Sequence, residues 1–332
     1  MNALAQDSLR FFRGIKPDEV SDFQKFGFVR LRNVISASQV DDLREAMNQA
    51  LATLKDSPNA YDITAAADAV WRDEEVADQG SEQHDLALLA QAIRAAKLNR
   101  LIDEKSPDIA RGKFLLDTSV WRRVPLLADF CTGSQLPAIS SALLGVPDIR
   151  YYDDQLFVKE GGAVDRSAFH QDLSYFHLGG DTGCVFWIPL DKVRRGSGAM
   201  GYVPGSHRWG QTYKPNVFVS ELAFPGSEGP DLPSVDANPE AYGVQYLEVD
   251  PGDVIVHHFQ TIHGAEGNRT GAQRRAFSLR YIDANLRYRQ RPGAPAQPLH
   301  RQNMQEGEML DDSIHPLVWR ASQALAPTRK TA

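Results

Sequence analysis

Two cysteines, Cys131 and Cys184, are all the thiol chemistry this 332-residue chain offers. That number excludes a disulfide framework and a cysteine-built zinc site, and it fits a reducing, cytoplasmic setting. Long apolar runs are missing as well. None approaches the roughly 20 residues that span a bilayer, and the opening MNALAQDSLRFFRGIKPDEV has no apolar segment of the kind a secretory signal needs. Dense basic runs are also absent. With 36 Lys and Arg against 43 Asp and Glu, the net charge is −7, which disfavours nucleic acid and membrane partners and argues against a substrate carrying many phosphates. What remains is a globular composition, 42% hydrophobic and 24% charged, long enough for a sizeable buried core.

Patterning divides the chain into three parts. Residues 36–54 open with Ser36 and Gln39 at capping-box spacing, and Val40, Leu43, Met47, Ala50 and Leu54 follow at helical intervals. Residues 83–104 repeat that stripe, and a third helix over 134–144 stops at Gly145. The polar stretch 55–82 reads as a loop or lid. From about 148, short segments rich in aromatic and β-branched residues alternate with Gly, Pro, Asp and Ser clusters, which predicts strands at 150–159, 183–190, 199–203, 244–249, 253–258 and 274–282. The fold class expected is mainly β with flanking helices, the strands forming a double-sheet roll or barrel. No repeat and no linker divides the chain, so one domain is expected over 1–332: a helical part at about 15–145, a β-roll at 148–285 and a tail at 286–332. Residues 206–243 form a Pro/Gly-interrupted insertion, more often a functional loop than a structureless one.

AFHQDLSYFH places His170 and Asp172 two apart, on one side of an extended backbone, so an imidazole nitrogen and a carboxylate oxygen can reach one ion. The motif alone is weak. A third ligand is available from DVIVHHFQTIHGAEGN, which offers His257, His258 and His263. Two histidines and one carboxylate on one face of an ion leave three positions open, the arrangement used by non-haem Fe(II) oxygenases. Arg274 follows eleven residues after His263, beyond the turn-type cluster Asn268-Arg269-Thr270-Gly271. An antiparallel hairpin around that turn would set His263 beside Arg274 in one cavity. On the second strand Phe277, Leu279 and Tyr281 share a face with Arg275, whereas Ala276, Ser278 and Arg280 share the other with Arg274. The apolar face packs on helices in this reading, so Arg274 lines the interior, where a buried guanidinium requires an anion.

HQDLSYF, GCVFWIPLD, GAMGYVPGSHRWG and PGDVIVHHFQTIHGAEGNRTGAQRRAFSLRY, in this order and spacing, resemble the phytanoyl-CoA dioxygenase family from about residue 20 to 285, most closely over 151–285. The resemblance implies a double-stranded β-helix (jelly-roll, cupin-like) core and an enzyme using Fe(II), 2-oxoglutarate and O₂. It implies that His170, Asp172 and His263 are the metal ligands and catalytic centre, and that Arg274 grips the distal carboxylate of 2-oxoglutarate. Gln155 and Trp187 fall where members line the co-substrate pocket. At Ala265 some relatives carry a serine contacting 2-oxoglutarate. Halogenating relatives replace the carboxylate, so Asp172 points to hydroxylation or a related oxidation.

Plainer readings accompany these. His257 and His258, on an apolar strand, read as a packed and a half-exposed histidine. His177 is a loop histidine or a substrate contact, and His207 braces a turn. Lys159 reads as a strand-edge lysine and Trp187 equally as core. Arg280 is either a second anion binder or an ion-pair partner. His84, His300 and His315 read as surface residues. Two other functions compete: a non-catalytic metal- or small-molecule-binding roll, and a cupin-type Zn or Mn enzyme, whose site would collect more histidines and need no such arginine. A small or medium-sized organic substrate is expected, with the protein acting as a monomer or homodimer.

Overall fold

In the computed structural model of the chain, the described residues are 13–65, 111–297, 299–300 and 304–321. The expected helix at 83–104, His84 and most of the 55–82 stretch lie outside them. Capping chemistry explains the described helices. α1 (Pro17–Phe26) starts with proline in its first turn and ends at Gly27, whose left-handed φ of 82° closes the last turn. α2 (Ala37–Ala52) has the capping box read from sequence: the Gln39 backbone N–H donates to Ser36 Oγ (3.2 Å), and the Ser36 N–H to Gln39 Oε1 (3.0 Å). α3 (Pro125–Gly133) and α4 (Leu136–Leu144) follow, α4 ending at left-handed Gly145. No described helix is long and apolar enough to cross a membrane.

The strands are β1 (Phe28–Leu31), β2 (Ala60–Asp62), β3 (Phe114–Thr118), β4 (Asp148–Lys159), β5 (Ser167–His170), β6 (Gly183–Pro189), β7 (Met200–Tyr202), β8 (Gln245–Leu247), β9 (Val254–His258), β10 (His263–Ala265), β11 (Arg274–Asp283) and β12 (Leu317–Arg320). They form two antiparallel sheets. The larger runs β1-β9-β6-β11-β4-β3-β2, with β12 also pairing β4, and the smaller runs β5-β10-β7-β8. The amino-terminal part is therefore not helical throughout. It supplies β1, β2 and β3, whose three to five residues are too few to show a period against the helical stripes around them.

Side-chain alternation sorts the two faces of the large sheet. Phe277, Leu279 and Tyr281 of β11 join Val254 and Val256 of β9 and Leu43, Leu127, Phe130 and Ile139 of the helices in the largest buried cluster. The opposite face turns Ala276, Trp187 and Ile255 toward Met200, Tyr202 and Ala265 of the small sheet. The roll interior thus lies between two sheets, and the described helices cover the outer face of the larger one. The described part of the tail packs back on the large sheet. β12 pairs with Asp148–Arg150, and Arg150 is ion-paired with Asp312 and donates to the His315 carbonyl (2.9 Å).

Two expectations are overturned here. β10 and β11 do not form a hairpin: β10 pairs β5 and β7 in the small sheet, while β11 pairs β4 and β6 in the large one. The intervening loop crosses from one sheet to the other. Its anchor is Asn268, fully buried, whose Nδ2 donates to the carbonyls of Lys159 (3.1 Å), Glu160 (3.0 Å) and Ala272 (2.6 Å). Lys159 is no edge lysine either. β4 is flanked by β3 and β11 along this stretch, so Lys159 is completely buried, its Nζ donating to the Glu266 carbonyl (2.9 Å) and standing over the Phe114 ring. Replacing Asn268 by alanine removes three side-chain-to-backbone hydrogen bonds, one of them fully buried, and leaves a cavity in the loop's anchor. We expect a loss of roughly 2–4 kcal/mol, read as a lower denaturant midpoint with an unchanged slope.

Candidate metal centre

His170 ends β5, Asp172 opens a 3-10 turn over Asp172–Tyr175, and His263 opens β10. Gln171 between the first two is extended (φ −108°, ψ 134°), so its side chain turns away to donate to the Gln260 carbonyl (2.8 Å) while its neighbours face inward together. In the small sheet His263 lies opposite His170 on one side and Tyr202 on the other. Donor atoms of His170, Asp172 and His263 all fall within 4.8 Å of one another, and among the described residues this is the group able to hold an ion.

Backbone carbonyls set the orientation of both imidazoles. His170 Nδ1–H donates to the Ala168 carbonyl (2.7 Å) and His263 Nδ1–H to that of Thr261 (2.9 Å), which leaves each Nε2 lone pair facing Asp172 at 3.8 Å. Burial, followed by the neighbouring imidazole, pulls His170 and His263 down to about 4, so both are neutral and ready to ligate at pH 7. Burial pushes the Asp172 carboxyl up, but His263, His257 and His170 around it outweigh that and hold it well below the usual carboxylate range.

Across the cavity stands Arg274, 1% exposed. Its Nη2 donates to the Gly198 carbonyl (3.0 Å), its guanidinium lies 5.2 Å from the Trp187 ring centre, and its buried Nε has no partner. Lys159 sits directly opposite it on β4. Burial and then the Arg274 charge hold Lys159 well below its ordinary value, and burial brings Arg274 itself down to about 10, still a cation at neutral pH. Arg275, by contrast, points outward and forks onto Asp191 through Nε (3.0 Å) and Nη2 (2.8 Å). The strand parity read from sequence separates these two arginines as observed. Gln155 and Trp187 line the same cavity, and Arg280 joins them, its Nη2 donating to Gln155 Oε1 (2.6 Å).

Several lining residues were missed or placed differently by sequence reasoning. His257 turns into the cavity and hydrogen-bonds Asp172 (2.9 Å). Its shared parity with Ile255 on β9 was the available signal, but only once the inner face is known. Phe218, from the 206–243 insertion, has φ 63° and brings its ring to 5.2 Å from that of His170. That left-handed backbone costs a bulky residue about 1 kcal/mol or more. It is held by the Phe218 N–H to Asn216 Oδ1 (3.0 Å) and by the Ala168 N–H to the Phe218 carbonyl (2.7 Å). Asn216, Val217 and Val235 bury the insertion against the site, so the stretch is a packed cover. His207 braces its turn as expected, meeting the Gln24 carbonyl (3.1 Å). His177 faces the 291–295 segment, taking the Arg291 N–H (3.0 Å) on Nδ1. His315 and His300 are not surface residues: His315 is 3% exposed and stacked on Tyr152 at 4.9 Å, with His300 packed edge-on at 5.3 Å. Both belong to the returning tail, which folds their rings against Tyr152 of β4.

Fold and donor set together define a class: a double-stranded β-helix protein built around a two-histidine, one-carboxylate group. Residues 23–276 match the family model for phytanoyl-CoA dioxygenase (PhyH), and the chain belongs to that family. It is 28% identical over 177 residues to a probable phytanoyl-CoA dioxygenase of Caenorhabditis elegans, a match spanning 49% of this chain and 52% of that protein. The chain thus spans about half the length of that relative. Among solved structures it resembles the non-heme alpha ketoglutarate dependent carbocyclase SnoK from nogalamycin biosynthesis, with TM-score 0.60, 21% identity, and coverage of 92% and 97% of the two chains. The epimerase SnoN, solved in complex with Fe3+, alpha ketoglutarate and nogalamycin RO, gives TM-score 0.58 at 20% identity, covering 91% and 97%. These likenesses show the shared fold.

His170, His263 and His315 are each drawn to about 4 from an ordinary 6.5. Between those values the unfolded chain binds more protons, so stability is present above about pH 6.5 and is lost as pH falls toward 4, by roughly 3 kcal/mol per histidine. Urea midpoints of the metal-free protein should fall steadily from pH 7 to pH 4.5; a level profile contradicts the buried, neutral assignment.

Proposed function

We propose that the protein is an Fe(II)- and 2-oxoglutarate-dependent dioxygenase that hydroxylates a small or medium-sized organic molecule, with release of succinate and CO₂. The observation that carries this reading is the facing of two complementary groups in one cavity. A carboxylate among neutral imidazoles suits a cation, and a buried arginine without a counter-ion suits a carboxylate. A zinc or manganese cupin site would explain the first group and leave the second without a purpose.

In this reading His170, Asp172 and His263 hold Fe(II) through two nitrogens and an oxygen. With 2-oxoglutarate bound, the metal supplies the oxidising chemistry with O₂. This chain's residues do the rest. Arg274 takes the distal carboxylate of 2-oxoglutarate through its free N–H groups, and the Gly198 carbonyl and Trp187 ring fix its fork. Gln155 and Arg280 line the wall beside it. Phe157, Met200 and Phe218 exclude water from the reacting face. Asp172, in place of a small residue, keeps a carboxylate on the metal and supports hydroxylation over halogenation. The family membership and the iron- and 2-oxoglutarate-containing SnoN structure support the same assignment. Two unpaired, buried cysteines support a reducing, cytoplasmic location.

The test is succinate formation from 2-oxoglutarate with Fe(II) and O₂, in wild type and two variants. Asp172→Ala should abolish it. Arg274→Gln should require roughly 100- to 1000-fold more 2-oxoglutarate, the consequence of losing a buried, bidentate charge pair worth about 3–5 kcal/mol. Full activity in Asp172→Ala would sink the assignment, and an unchanged 2-oxoglutarate requirement in Arg274→Gln would remove the arginine from it.

A further inference from the structure

Asp172 has one hydrogen-bond donor within reach among the described residues, and it is a histidine that is not part of the ion-holding group. His257 Nε2 lies 2.9 Å from Asp172 Oδ2, and its Nδ1 lies 3.2 Å from the Tyr202 hydroxyl. All three side chains are buried. We propose that His257 is a positioning residue for the metal centre: it holds one oxygen of Asp172, so that the carboxylate meets the cation through the other and fills a single coordination position. The inference rests on the metal-centre reading given above.

The hydrogen-bond directions follow from the partners. Tyr202 Oη has a proton to give and the His257 ring as its acceptor, so Nδ1 is the unprotonated nitrogen and Nε2 carries the hydrogen. That hydrogen points at a carboxylate. The opposite tautomer would set a lone pair against the Asp172 lone pairs. Burial keeps the Tyr202 hydroxyl protonated far above neutral pH. The tyrosine is itself immobilised, stacked on Phe28 at 4.8 Å and lying directly opposite His263 in the strand register. The chain Tyr202–His257–Asp172 therefore starts on β7 of the small sheet, reaches across to β9 of the large sheet, and returns to the turn after β5. A carboxylate on a short turn, with no backbone N–H to hold it, takes its orientation from the opposite sheet. Held through one oxygen, it leaves space for a two-point chelator on the same ion. A merely packed histidine does not need a side-chain partner on each ring nitrogen.

Two substitutions divide the ring's functions. His257→Gln keeps an amide near Nε2, able to donate to Asp172. His257→Asn keeps one near Nδ1, able to meet Tyr202 but too short to reach the carboxylate. Co(II) binding to the full-length protein is measured by calorimetry, and coordinated imidazoles are counted by pulsed EPR on the Cu(II)-loaded protein. His257→Asn should bind Co(II) 10- to 100-fold more weakly, the usual cost of losing a partner of a metal ligand. His257→Gln should recover most of that loss, and the imidazole count should be two in wild type and both variants. Equal Co(II) affinity in wild type and His257→Asn reduces His257 to packing and overturns the proposal. A count of three in wild type that falls to two in both variants makes it a ligand and also overturns it. His170→Ala is the control for the underlying reading. If that variant keeps wild-type Co(II) affinity, the metal centre itself is misassigned and the proposal falls with it.

Discussion

A buried carboxylate surrounded by neutral imidazoles is the constraint on which the rest of this molecule depends. Asp172 lies beside His170, His257 and His263, each held below its ordinary value by burial, with no lysine or arginine paired to it among the described residues. Such a charge is costly to bury without a partner. Arg274 across the same cavity, and Lys159 behind it, carry the opposite problem: two buried basic groups side by side, each held by one backbone carbonyl and one aromatic ring among the described residues. Neither group contributes to stability as it stands. Both are held by a framework whose own burial is extensive and apolar.

That framework is two sheets with different tasks. The large sheet is clamped by four described helices on its outer face, and this cluster supplies most of the hydrophobic stabilisation. Its inner face is therefore free to carry Arg274, Arg280, Gln155 and His257. The small sheet carries His170 and His263 on adjacent, paired strands, so their separation is fixed by backbone hydrogen bonding. The site exists because the sheets face each other: buried Arg274 comes from one, and the His170–Asp172–His263 group from the other and the turn after it. The loop anchored by Asn268 sets how they face, because it is the covalent crossing between β10 and β11.

The 206–243 insertion, expected as a functional loop, closes this arrangement. The 206–243 stretch is pinned by Asn216 Nδ2 to the Phe169 carbonyl (2.8 Å) and by the Phe169 N–H to Asp236 Oδ2 (3.1 Å), which ties it to β5 one residue before His170. It then pushes Phe218 over the His170 ring at the expense of an unfavourable backbone. The tail adds β12 to the far end of β4 and buries His315 against Tyr152, away from the triad. The cover thus adds an apolar wall to the cavity through Phe218 without supplying its polar groups, and the tail braces the large sheet elsewhere.

The sequence by itself determined what is local or periodic. Ser36 and Gln39 announce their helix because capping is a matter of three residues, and the Arg274/Arg275 choice follows from the two-residue period of a strand. His170 and Asp172 declare a shared side for the same reason. Order and spacing of the HQD, HG and RR segments were enough to mark the family. Only the tertiary structure decided which sheet each strand joins. The near spacing of His263 and Arg274 suggested a hairpin, and the chain instead crosses the roll, because a loop's length does not fix its destination. Lys159, His257, His300 and His315 were misplaced or undervalued for one physical reason: a side chain's environment is set by segments far away in the chain, and burial between β3 and β11, across the sheets, or by the tail folding back on β4 leaves no mark on the residues next to it.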